Sequence, residues 1–99
     1  MLDKIKVGGI DYAVSIEDLS DFNNGESFRM GQCSEVKAVI EISKDISLQK
    51  QKQTLIHEMM HAIFNESGVN EVNEEELVNS IGLVLYQVLK DNDFSWIRS

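Results

Sequence analysis

The sequence predicts an α+β domain, with N-terminal antiparallel strands followed by two helices. Three observations carry that reading. The first half holds short β-branched stretches separated by Gly and Asn/Asp clusters. The second half holds two longer stretches in which apolar residues recur at helical spacing. The length of 99 residues, with 42% hydrophobic and 26% charged, suits one small folded domain over residues 1–99. The chain contains no proline, so glycine and Asn/Asp do the punctuating.

The elements follow in order. Ile5-Lys6-Val7 and Tyr12-Ala13-Val14 flank Gly8-Gly9, a hairpin turn in which glycine accepts positive φ without strain. Asp18 to Met30 is polar, contains Asn23-Asn24-Gly25, and reads as a loop. Lys37 to Ile42 is the strongest strand, β-branched and bounded by polar residues. Ser47 is the expected N-cap of the first helix, whose apolar positions are Leu55, Ile56, Met59, Met60, Ile63 and Phe64; Gly68 is its expected stop. The second helix is expected from near Asn73 to about Lys90. Leu77, Val78, Ile81, Val84, Leu85 and Val88 form its apolar stripe, and Asn73 with Glu76 matches a capping box. Phe94 to Ile97 reads equally as a short strand or a tail that packs down.

Charge and cysteine usage narrow the functions. A net charge of −8 with nine scattered basic residues argues against nucleic acid as partner, since phosphate binding needs clustered Lys and Arg. Cys33 is the only cysteine, which excludes an internal disulfide and a cysteine-based zinc finger, and a lone thiol suits a reducing compartment. Met1-Leu2-Asp3-Lys4 lacks the apolar core of a signal peptide, and no window approaches a bilayer-spanning length. A cytoplasmic protein without membrane partners is expected.

The chemistry lies in His57-Glu58-Met59-Met60-His61. Residues i and i+4 share one helix face, so two imidazoles can point at one ion. Catalytic zinc sites use three protein ligands and keep a fourth position for water, whose proton a neighbouring carboxylate can take. His57 and His61 are therefore candidate Zn2+ ligands and Glu58 the candidate general base of a hydrolase. Such a string arises by chance in roughly 0.2% of chains this short. Both histidines of the chain are in it, and it sits within an amphipathic helix.

A third ligand must come from elsewhere. Cys33 is one candidate, and the run Glu74-Glu75-Glu76 offers three. Glu76 has the capping-box position, Glu74 lies nearest the apolar stripe by helical angle, and Glu75 has Asn79 one turn later to orient a His ligand. Tyr12 is a candidate oxyanion donor or, alternatively, a packed hairpin tyrosine.

Thr54 to Phe64, with Glu75-Glu76-Leu77-Val78-Asn79 and Leu85 to Asn92, resembles the small zincin-like metallopeptidases of bacterial phages and mobile elements. These are stripped-down relatives of the ImmA/IrrE-type enzymes in the gluzincin group. The resemblance covers roughly residues 38 to 92. It implies a small zincin-like fold and a zinc-dependent peptide-bond hydrolase acting on a protein or peptide, such as a regulator. The alternative is a weakly active or inactive zincin-fold binding module of a mobile element. Carried over by position, the family pattern makes Glu75 the third zinc ligand and Asn79 the residue that supports a His ligand, where an acid is more usual. It also implies that the strand before the active helix, Lys37 to Ile42, pairs with extended substrate.

Overall fold

The computed structural model describes residues 3–20 and 29–99. Among them the order is β1 (Lys4–Val7), β2 (Ile10–Glu17), β3 (Gly31–Ser34), β4 (Val39–Ser43), α1 (Leu48–Ser67), α2 (Glu74–Asp91) and a short α3 (Ser95–Arg98). The expected α+β architecture is present. The sheet is mixed, in the order β1-β2-β4-β3, with antiparallel pairs on both flanks and a parallel β2–β4 pair at the centre.

Gly8 and Gly9 make the β1–β2 turn with φ of +58° and +88°, and Val7 pairs with Ile10. Positive φ at both central residues matches the twist of the flanking strands, which is why Gly-Gly serves here. Of the expected loop, Asn23-Asn24-Gly25 lie outside the described residues. At its start the Asp18 carboxylate accepts from the Ser20 amide at 3.0 Å.

Three points of the sequence reading need correction here. β3 was not anticipated, because Gly-Gln-Cys-Ser has neither β-branching nor apolar alternation. The strand expected from Lys37 begins instead at Val39, since Lys37 and Ala38 belong to the β3–β4 turn, with Ala38 at φ +53°. Moreover, β4 is flanked by β2 and β3, so both its edges are already paired and it cannot take a substrate strand. The edge on that side of the sheet belongs to β3.

One face of the sheet carries the core. Val7, Tyr12, Val14, Ile40 and Ile42 are buried together with Ala62 of α1, and Leu55 packs against them. Burying side chains of this size contributes about 1.5–3 kcal/mol each, and this is what lays α1 across the sheet. Thr54, Glu58 and Ala62, spaced by four, form one buried row of α1, and Ile56 and Met60 form a second.

Both ends of α1 are capped as expected. The Ser47 hydroxyl accepts from the Lys50 amide at 3.1 Å, and Gly68 ends the helix in the left-handed conformation at φ +71°. The Asn73–Glu76 capping box does not form. Asn73 lies at φ −103°, ψ 27° and its side chain makes no cap bond, while its carbonyl accepts from Leu77. An N-cap side chain reaches the first-turn amides from extended backbone, which Asn73 does not have. The tail is helical and leaves Trp96 85% exposed, so it neither forms a strand nor packs down. No helix among the described residues is long and apolar enough to cross a membrane.

Candidate metal centre

His57 and His61 project from the same flank of α1, one turn apart, with ring centroids 5.1 Å apart. Gly68 reverses the chain after α1, and α2 returns along it. The first turn of α2 thereby meets the histidines. Glu75 Oε1 lies 3.0 Å from His57 Nε2, and Glu75 Oε2 lies 3.0 Å from His61 Nε2. On the far side of the same ring, Glu74 Oε2 lies 2.5 Å from His61 Nδ1.

His57, His61 and Glu75 form a group that could hold a metal ion, each offering one donor atom within 4.8 Å of the others. Two features test the fit. Donors about 2.0–2.2 Å from a tetrahedral ion stand about 3.4 Å apart; the two Glu75 oxygens stand 3.0 Å from one imidazole nitrogen each, and one donor atom per residue lies within 4.8 Å of the others. When His61 Nδ1–H donates to Glu74, its Nε2 lone pair faces a carboxylate oxygen of Glu75. Two acceptors hold that approach with a cation between them, and an imidazolium, which donates from both nitrogens, holds it as an ion pair with the two carboxylates. The residues fit a divalent metal in a His-His-Glu donor set.

The remaining candidates separate clearly. Glu74 orients His61 and thereby takes the supporting role expected of Asn79, which lines the cleft but has no hydrogen bond to either histidine among the described residues. A carboxylate one residue before Glu75 reaches the ring because both lie on the first turn facing α1. Glu76 is exposed and away from both rings. Cys33 lines the cleft half-buried, but its sulfur is not among the converging donors. Tyr12 is fully buried in the core, and its hydroxyl donates to Glu66 at 2.6 Å. It does not line the cleft, so it is the packed hairpin tyrosine and not an oxyanion donor.

Glu58 belongs to the same helix but to a buried row. Burial raises its carboxyl above the usual carboxylate range, opposed by the neighbouring His57 and His61. The cover comes from β3. A Cβ built on Gly31 would lie 3.4 Å from Glu58 Cγ and 2.5 Å from Thr54 Cγ2. Only a glycine lets the strand come this close. Sequence reading missed the role of Gly31, for which no local signal exists. It also missed Thr54, which the spacing of four before Glu58 could have revealed.

These parts surround one cleft of about 860 Å³, with α1 as floor, β3 along one wall and the N-terminal half of α2 along the other. Its volume lies in the range of ligand-binding clefts. The sequence matches no family model, and neither a curated protein nor a solved structure matches it significantly.

Proposed function

We propose that this chain is a zinc-dependent peptide-bond hydrolase of the cytoplasm. His57, His61 and Glu75 hold the metal and Glu58 acts as general base. The observation that carries the reading is the convergence of three donor side chains beside a buried carboxylate in one open cleft. Zinc in such a donor set supplies Lewis acidity, bringing the pKa of water towards neutrality and polarising a carbonyl.

The chain's own groups do the rest. Glu58 accepts the proton of the attacking water and passes it to the departing amide nitrogen, the two halves of general acid–base catalysis. Its desolvated position brings its proton affinity nearer to the working pH than that of an exposed carboxylate, as this shuttle requires. Glu74 holds the His61 ring in the orientation that presents Nε2 to the metal. The outer edge of β3 pairs with no other strand among the described residues and runs along the wall of the cleft, where an extended protein or peptide substrate can add as a strand. A module that only grips a partner has no use for a buried carboxylate beside its metal donors, so Glu58 favours turnover over binding alone.

Metal analysis and one substitution test the reading. The purified chain should carry about one zinc, since it offers one three-donor site. Glu58→Gln should keep that zinc and lose hydrolysis by about 10² to 10⁴ in rate. A chain that takes up no zinc, or a variant that hydrolyses as well as the parent, refutes it.

A further inference from the structure

The charge of the cleft is divided along its length. Glu58, Glu74 and Glu75 stand at the histidine end, and even a divalent metal leaves that end net negative. Arg29 and Lys50 line the same cleft. Lys50 precedes His57 by seven residues on an unbroken helix, which places it about 10 Å towards the start of α1. Arg29 falls towards that end too, with its charge still reaching Glu58. Gly31 stands against Thr54, while Cys33, two residues on, lies in the field of Glu58, Glu66 and Glu74. β3 therefore runs the same way as α1, and Arg29, just before it, sits beside the Lys50 end.

Arg29 has a local support. Its Nη1 donates to Gln32 Oε1 at 3.4 Å, and Gln32 in turn donates through Nε2 to Glu41 Oε1 at 2.6 Å. Glu41 thus fixes which way the Gln32 amide faces and presents its oxygen to the guanidinium. Three other basic side chains are engaged elsewhere: Lys6 with Asp11 at 3.1 Å, Lys44 with Asp45 at 3.0 Å, and Lys90 over the Tyr86 ring. In a chain of net charge −8, two cations in one cleft are a local reversal of sign.

The geometry points to a carboxylate subsite formed by Arg29 and Lys50. Resting on the hydrolase reading above, it defines the substrate class as peptides carrying a carboxylate about three residues from the bond cleaved. Extended chain advances about 3.3 Å per residue, so three residues span the distance from the histidines to Lys50. The guanidinium suits a carboxylate because its paired N–H groups match the two oxygens. The acidic histidine end repels the same carboxylate, so the two ends together set the register of the bound peptide. The carboxylate can belong to an Asp or Glu side chain or to a chain terminus.

Binding and turnover are to be measured separately. Zinc-loaded Glu58→Gln protein is titrated by fluorescence anisotropy with labelled peptides of one sequence. One pair carries Glu or Gln three residues from the centre, and a second ends in a free carboxylate or an amide. Tighter binding of the Glu peptide assigns the side chain, and tighter binding of the free acid assigns the terminus; about tenfold is expected for either. Introducing Arg29→Glu with Lys50→Glu should reverse the preference towards a Lys peptide, with Arg29→Gln and Lys50→Gln intermediate. Both side chains are exposed, and circular dichroism with zinc content confirms the fold of each variant. Equal affinity for acidic and neutral peptides, no binding of any of them, or a preference that survives charge reversal overturns the subsite. Parent protein that binds acidic peptides selectively but never cleaves them overturns the hydrolase reading and leaves the subsite standing.

Discussion

Glu74 and Glu75 are adjacent in sequence but face different nitrogens of His61. Glu75 spans the Nε2 atoms of the two histidines, one carboxylate oxygen on each, while Glu74 holds the opposite side of one ring. Removing a ligand and removing an orienting group therefore differ in size. Glu74→Ala should weaken zinc binding by about 10- to 100-fold, the usual range for an outer-shell partner. Glu75→Ala should weaken it further, and Glu76→Ala should leave it near the parent value. Competitive zinc titration of the three variants checks the order, and a parent-like Glu75→Ala would break the assignment. A second residue-scale expectation concerns Cys33, whose thiol is pushed up to about 11, first by burial and then by the carboxylates of Glu58 and Glu35. The sign follows directly: the thiolate is the reactive form, so a raised pKa suppresses reaction at neutral pH. In chelator-treated protein at about pH 8, alkylation should be about 100-fold slower than for an unshifted thiol, and its rate should still be climbing above about pH 9. A rate that levels off near the ordinary thiol value would contradict the burial.

At the scale of elements, the critical contact is between β3 and α1. Gly31 leaves no room for a Cβ against Thr54 Cγ2, and the same approach covers Glu58. Gly31→Ala should destabilise the chain by about 1–3 kcal/mol, the range for overpacking. Thr54→Ser removes the obstructing methyl and keeps the hydroxyl, so the double variant should recover part of the loss. Urea unfolding of the three variants measures this, and simple additivity would mean the two residues are not coupled. This contact also marks how far the sequence was legible. The hairpin, α1 with both caps, α2 and the His57/Glu58/His61 constellation were readable because each depends on periodicity or on a residue with a local backbone role. β3 and the carboxylate partner of His61 were not. Gly-Gln-Cys-Ser becomes a strand only because β4 lies beside it, and Glu74 reaches His61 only because Gly68 turns α2 back along α1. The Asn73–Glu76 spacing misled for a related reason: a capping box needs extended backbone at the cap, and the turn before α2 imposes a different ψ.

The whole molecule is unevenly tied together. α1 packs on β1, β3, β4 and α2, whereas among the described elements α2 packs on α1 alone. Only Val78 and Gly82 of α2 are buried, and Ile81 and Val84 of its apolar stripe remain 47% and 61% exposed. The interface with α1 is thus narrow, and His57, His61 and Glu75 lie across its N-terminal end. A metal held by those three joins α1 to α2 at the N-terminal end of that narrow interface. Binding to the folded state alone adds about 2.7 kcal/mol when free metal is 100 times its dissociation constant. That stabilisation should not be spread evenly, because the sheet and α1 share a core that needs no metal. Segments open separately, and those with few buried apolar contacts open first. Removing zinc with a chelator should therefore raise amide hydrogen exchange in α2 well before α1 and β4 lose protection, and restoring zinc should reverse it. Glu75→Ala with zinc present should reproduce the chelated pattern. If chelation instead raised exchange uniformly across α1, α2 and the sheet, the metal would be supporting the entire fold and not the seam between two helices.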